Sequence, residues 1–441
     1  MKTIVSILMI VMLMSSFVGA QASPLVYDEE YPIGSIIGDS VGASPELAPR
    51  GEYAIGVRTI EIVNKDQVDL AAITEENPRP LYDRALTVEV WYPAVVEEGV
   101  RQLSTYTDYI GRIDQDNLEA FDYLGRAVRD AEPNFEEGPY PVIIVTHGYP
   151  GSRYLMSNLG ENLATKGYVV FSIAHADNTY LDYDPSISLA SAVINRTLDQ
   201  RFMISSLEPL NAEGWLAGAM DTERVGMIGY SFGGFGLLRT LGVTFGDWTK
   251  ENFAPYLDLI TEEEGYEGDK RVDAAVLFAP YGSGWFDTAS YANISVPTLW
   301  IQGDYDSTVP YAPVHEIFDQ AVNTDRYFLT YELLNHKVAP NPAPVASQMY
   351  VYADGARRWQ DATWDQWIIN GINFHFITAF MDAQLKGETE KMEYLNVKEP
   401  VGKNAVYSVD ENGEFTEAHT YWPGFYDGTA IGLTLEHLSA E

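Results

Sequence analysis

The clearest pattern along the chain is a series of short, uninterrupted apolar runs separated by stretches of mixed polarity. Residues 142–145 (VIIV), 168–174 (YVVFSIA), 225–228, 274–280 (AAVLFAP), 297–303 (PTLWIQG) and 327–334 (YFLTYELL) are of this kind. A run of four to eight apolar, β-branched residues bounded by Gly, Pro or polar residues predicts a strand buried on both faces. Tyr53 to Val63 and Ala85 to Trp91 are also rich in β-branched and aromatic residues and predict two earlier strands. Between these runs the apolar spacing turns helical. It predicts helices over Asn158 to Lys166 (with Gly167 at its end), Thr197 to Leu207, from Ser231 through Leu241, Val314 to Val322, and Trp364 to Leu385. Buried strands alternating with helices predict an α/β class, with a mostly parallel sheet covered on both faces.

Three regions depart from this rhythm. Residues 176–218 and 244–270 interrupt it and are expected to be insertions over the C-terminal edge of the sheet, able to form a lid. Residues 345–441, rich in Trp and Tyr, read as a packed extension of the same domain. The N-terminus differs again: Lys2, an apolar run from Ile4 to Val18, then Gly19-Ala20-Gln21-Ala22. This is the layout of a secretory signal, so 1–22 is expected to be removed, 23–50 to be an extended lead-in, and 51–441 to be a single catalytic domain. The expected location is secreted or periplasmic, with no stable membrane span after cleavage.

Composition narrows the chemistry. The chain carries 64 acidic and 27 basic residues, a formal net charge of −37, and such a surface repels nucleic acid. It contains no cysteine, which excludes disulfides and thiol nucleophiles. The acidic residues at 28–30 and 262–264 show no regular ligand spacing, and no metal or other cofactor is expected.

The chemistry gathers around MIGYSFGGFG (227–236). Gly229-Tyr230-Ser231-Phe232-Gly233 fits G-x-S-x-G with an apolar strand before it and a helix after it. In that frame a serine sits on a sharp turn with its hydroxyl exposed, and the flanking glycines remove Cβ clashes. A serine needs a base, and the base needs an acid, in chain order Ser, Asp, His. His336 follows the 327–334 strand on a Pro-rich loop and is the expected base; His315 and His375 fall inside predicted helices. The acid comes from Gly303-Asp304-Tyr305-Asp306, with Asp306 preferred over Asp304 and Glu332. The oxyanion donors are expected to be the backbone N–H groups of Phe232 and of Tyr149, in the loop His147-Gly148-Tyr149-Pro150-Gly151. His175 and Asp177 either line a substrate pocket or form a structural hydrogen-bond pair. Trp364, Trp367 and Phe374 share a helix at core-packing spacings.

With ALTVEVWYPA, VTHGYPGSR, GYVVFSIAHADNT and IGYSFGG in order, the chain resembles α/β-hydrolases of the platelet-activating-factor acetylhydrolase and dienelactone-hydrolase-like group. The resemblance implies an eight-stranded, mostly parallel sheet, a Ser–Asp–His triad, two backbone oxyanion donors and no metal. Two departures stand out: dienelactone hydrolases use a cysteine nucleophile, and the acid position of the acetylhydrolases after the sixth strand reads FAPYGSG here. The expected activity is hydrolysis of small-molecule or lipid-like carboxylic esters by an acyl-enzyme mechanism. A prolyl-oligopeptidase-like peptidase and an inactive binding scaffold are the alternatives.

Overall fold

The computed structural model describes residues 30–31, 34–260, 266–345 and 359–441. The expected signal segment, 1–22, lies outside the described residues. Two long strands open the fold, β1 (Ile55–Val68) and β2 (Leu81–Val95). A separate two-stranded hairpin follows, β3 (Ser104–Ile110) and β4 (Glu119–Gly125), and then two two-residue strands, β5 (Val128–Arg129) and β6 (Glu132–Pro133). The central strands are β7 (Tyr140–Thr146), β8 (Val169–Ala174), β9 (Met220–Tyr230), β10 (Ala274–Phe278), β11 (Thr298–Gly303) and β12 (Arg326–Tyr331). A last strand, β13, runs Leu433–Leu438. The main helices are α1 (Ser157–Thr165), α2 (Ser188–Ala212), α3 (Phe232–Thr240), α4 (Asp247–Leu257), α5 (Tyr311–Gln320) and α6 (Gln366–Met381).

The main sheet runs in the order β13-β12-β11-β10-β9-β7-β8-β2-β1-β5, with β6 on β2. From β8 to β12 every pairing is parallel; β1 with β2, β2 with β8, and β12 with β13 are antiparallel. The strands β1, β2 and β7 to β12 are the eight that the sequence implies. The edge strand β13 and the stubs β5 and β6 are additions the apolar pattern did not flag.

The period of two along each strand divides the core into two layers. Ile143, Val145, Ile228, Val276 and Leu329 face α1 and α6, where they meet Leu159, Leu163, Phe376 and Phe380. Ile144, Met227, Leu277 and Phe328 face the other layer, with Met203 and Leu207 of α2, Phe235 and Leu238 of α3 and Phe318 of α5. Because both faces are covered, β7 and β10 are buried at every position.

The stretch 176–218 is mostly α2, which packs against α3 and β9 as part of the scaffold. It extends beyond the predicted 197–207 because its first turns bury Ser188, Ser191, Asn195 and Arg196, which hide the helical apolar period. In the second irregular stretch, 244–270, α4 is described and 261–265 are not. Within the C-terminal region, α6 packs in the core and β13 pairs with β12 from Arg326↔Leu438 to Tyr331↔Leu433.

Candidate active site

Ser231 stands between β9 and α3 with φ 54° and ψ −116°. A non-glycine residue at such positive φ costs on the order of 1–3 kcal/mol and persists only where its surroundings hold it. Three backbone hydrogen bonds do so. The Ser231 N–H donates to the Phe278 carbonyl at 2.9 Å, and its own carbonyl accepts from Tyr281 N–H and Phe235 N–H, both at 3.0 Å. The glycines have a measurable reason: a Cβ on Gly233 would stand 2.2 Å from the Thr146 carbonyl oxygen, and one on Gly229 would stand 2.7 Å from the Gly233 carbonyl oxygen. The turn can be this tight only where those side chains are missing.

The loops after β11 and β12 bring Asp306 and His336 together. His336 Nδ1 lies 2.7 Å from Asp306 Oδ2. A carboxylate oxygen accepts, so Nδ1 carries the proton and Nε2 of the neutral ring is left with its lone pair. The other oxygen, Oδ1, accepts from the N–H groups of Thr308 and Val309, both at 2.8 Å. Asp304 serves the neighbouring turn, where its Oδ1 accepts from Leu333 N–H at 2.6 Å. Glu332 pairs with Lys403 at 2.8 Å. His315 contacts Asp319 and Glu436, and His375 is buried in the core with Nδ1 accepting from Leu47 N–H at 3.1 Å.

Ser231, His336 and Thr308 border one cleft of about 440 Å³, together with Gly148, Tyr149, Pro150, Tyr180 and Tyr230. Gly148 lies against Ser231: a Cβ there would be 3.4 Å from Ser231 Cβ. Tyr149 and Phe232, the two expected oxyanion donors, touch through their rings at 5.3 Å, and Phe232 also stacks on Tyr281 at 4.7 Å.

Part of the cleft was not anticipated. Gly111, Arg112 and Gln115, from the turn between β3 and β4, line it, as does Lys337. Arg112 donates to Asp114 at 3.0 Å and sits 4.4 Å over the Tyr183 ring. STYTDYI (104–110) has a one-sided burial pattern, but two of its buried positions, Ser104 and Asp108, are polar, so the sequence shows no hydrophobic alternation to signal this wall.

His175 and Asp177 stand outside the cleft lining. His175 is fully buried beneath the loop, with Nδ1 3.0 Å from Asp199, and burial pulls its pKa down to about 4. Asp177 accepts from Arg84 at 2.7 Å. The expected His175–Asp177 pair is not what these contacts form: His175 meets Asp199 and Asp177 meets Arg84. His147 Nδ1 donates to the Gly148 carbonyl at 2.6 Å, and its Nε2 accepts from His175 N–H at 3.2 Å. Burial, reinforced by Arg196, holds His147 well below the usual histidine range, so it is a neutral strut in the loop. Among the described residues no group of three or more His, Asp or Glu is arranged to hold a metal ion, and no helix is long and apolar enough to cross a membrane.

Similarity to known proteins follows the same region. The PETase family, described as PET hydrolase-like, matches residues 132–243, from β6 to just past α3. A cutinase from Thermobifida alba, est1, is 28% identical over 49% of this chain and 60% of its own length. A bis(hydroxyethyl) terephthalate hydrolase from Streptomyces coelicolor is 24% identical over 48% of this chain and 56% of its length. The chain thus spans less than two thirds of either relative. Among solved structures, a ferulic acid esterase from Streptomyces cinnamoneus superposes with a TM-score of 0.50 at 18% identity, covering 78% of this chain and 94% of that one. The strand order, the helices on both faces and this superposition establish an α/β-hydrolase fold, similar in its central region to PET hydrolase-like proteins and cutinases.

Proposed function

We propose that this protein is a secreted serine hydrolase of carboxylic esters, working through an acyl-enzyme with Ser231, His336 and Asp306 as its triad. The observation that carries the reading is the meeting, in one cleft, of a serine held at positive φ and a histidine whose Nδ1 is bound to a buried carboxylate. His336 Nε2 takes the Ser231 proton as the hydroxyl attacks the ester carbonyl, and Asp306 holds the tautomer and stabilises the imidazolium. The tetrahedral oxyanion is received by the N–H groups of Phe232 and Tyr149. His336 then protonates the leaving alcohol, and water hydrolyses the acyl-enzyme by the reverse sequence of proton transfers.

The names of the similar proteins (a cutinase, a terephthalate-ester hydrolase and a ferulic acid esterase) support esters over amides as substrates. The finer likeness to platelet-activating-factor acetylhydrolases and dienelactone-hydrolase-like proteins rests on four stretches, three of which fall inside 132–243. Secretion is supported by Lys2, the apolar run Ile4 to Val18 and Ala20-Gln21-Ala22.

The test is labelling by a fluorophosphonate probe, together with turnover of p-nitrophenyl esters graded by acyl length. The wild type is expected to label and turn over, and Ser231→Ala to do neither while keeping its melting temperature. Undiminished turnover by Ser231→Ala would overturn the assignment.

A further inference from the structure

Helix α2 has an unusual buried turn. Arg196, Asp199 and Gln200 lie on one face at spacings of three and four, and all three are buried. Each grips a different segment in or beneath the candidate active site. Gln200 Nε2 donates to the Gly233 carbonyl at 3.1 Å, under the nucleophile turn, and Asp199 accepts from His175 Nδ1 at 3.0 Å. Arg84 closes on Asp199 with two hydrogen bonds, at 2.8 and 3.0 Å.

Arg196 is the member without a carboxylate of its own. Its Nη1 donates to the His147 carbonyl, its Nη2 to the Gly148 carbonyl at 2.8 Å, and its Nε to Asn178 Oδ1 at 2.9 Å. Burying a guanidinium is costly unless its donors are satisfied, and here they are satisfied by Asn178 and by two successive carbonyls of one loop. That choice of partners has a geometric consequence. The Gly148–Tyr149 peptide is trans, so its carbonyl and its N–H point in opposite directions. Pulling the Gly148 oxygen towards α2 turns the Tyr149 N–H away from α2, and no group among the described residues takes up that N–H. Ser231 adjoins this peptide: a Cβ on Gly148 would lie 3.4 Å from Ser231 Cβ.

We propose that Arg196 is a positioning residue which, by clamping the His147 and Gly148 carbonyls, aims the Tyr149 N–H at the oxyanion formed on Ser231. The proposal rests on the esterase reading above. Without the clamp the Gly148 carbonyl is held by His147 Nδ1 alone, and the Gly148–Tyr149 peptide is freer to rotate and turn its N–H off the developing negative charge. Arg196 touches no substrate; it acts through the loop, holding the Gly148 carbonyl together with His147 Nδ1.

The experiment compares wild type, Arg196→Gln and Arg196→Lys on a short p-nitrophenyl ester and on the matching thionoester, with melting temperatures alongside. An aligned donor favours oxygen over the larger sulfur in the transition state, so the ester-to-thionoester ratio of kcat reports on the oxyanion donors. Arg196→Gln is expected to lower kcat about 100-fold, the scale for loss of one such donor, with KM altered less than about threefold and the oxygen preference reduced. Arg196→Lys, which can reach one carbonyl, is expected to fall between. A folded Arg196→Gln with kcat within about threefold of wild type, or a kcat loss at an unchanged ratio, overturns the proposal. If Arg196→Gln does not fold, the same two readouts on Arg196→Lys decide. Failure of the underlying reading looks different: wild-type Ser231 would then resist the fluorophosphonate, and no variant would have turnover to lose.

Discussion

Tyr230 and His336 are joined twice: the Tyr230 hydroxyl donates to the His336 carbonyl at 2.8 Å, and the two rings lie 5.0 Å apart at 31°. The residue immediately before Ser231 thus holds the backbone of the expected base, across 106 positions of sequence. Tyr230→Phe keeps the ring contact and leaves a buried carbonyl without its donor. A cost of about 1–3 kcal/mol is expected, read from urea unfolding, with kcat reduced because the imidazole loses one of its two anchors. Wild-type stability in this variant would show that the hydrogen bond holds nothing.

Asp306→Asn tests the other anchor. The amide oxygen can still accept from the Thr308 and Val309 N–H groups, which directs the amide NH2 towards His336 Nδ1. The imidazole then has to place its proton on Nε2, the wrong tautomer for accepting one from Ser231. A fall in kcat of about 10⁴ is expected, with the fold retained by circular dichroism. Asp304→Asn, which alters only the turn at Leu333, is expected to leave kcat within about threefold.

Gly233→Ala should disturb the nucleophile turn itself. The new methyl would meet the backbone of β7 at 2.2 Å, and a strand buried on both faces cannot yield as a side chain could. Destabilisation at or above the upper end of the usual overpacking range, about 1–3 kcal/mol, is expected in thermal melting. Gly413→Ala, where nothing lies within 4 Å of the added Cβ, is the matched exposed control, although its φ of 87° carries a smaller strain of its own.

Acid sensitivity follows from the buried histidines. Burial, aided by Lys166, drives the His375 pKa from the usual 6.5 to about 3. Between those values the unfolded chain binds a proton that the folded one refuses, so the contribution to stability is complete above pH 6.5 and shrinks as pH falls towards 3. His175, at about 4, and His147 act in the same direction. His375→Gln keeps an acceptor for Leu47 N–H and removes the titration. Its melting temperature is expected to fall less steeply than that of wild type between pH 6.5 and 4; identical slopes would remove His375 from the account.

The residues that the sequence alone could identify are those whose position follows from local rules. Apolar runs mark strands buried on both faces, so β7, β8, the C-terminal part of β9, β10, β11 and β12 are readable to within a few residues, and with them the loops carrying Ser231, Asp306 and His336. The glycines around Ser231 were readable for the same reason, since a sharp strand-to-helix turn tolerates no Cβ. What only the tertiary structure decided are contacts made by polar side chains with distant backbone. Nothing in the apolar pattern singles out Arg196, Asp199 and Gln200; they are buried because loops from positions 147–148, 175 and 233 fold over them. The β3–β4 hairpin lends Gly111 and Arg112 to the cleft, and β13 closes the sheet edge at β12, through pairings no periodicity encodes. A hydrophobic period reports which face of an element is buried. It is silent on what a buried hydrogen-bond donor will find there, because that partner arrives from elsewhere in the chain.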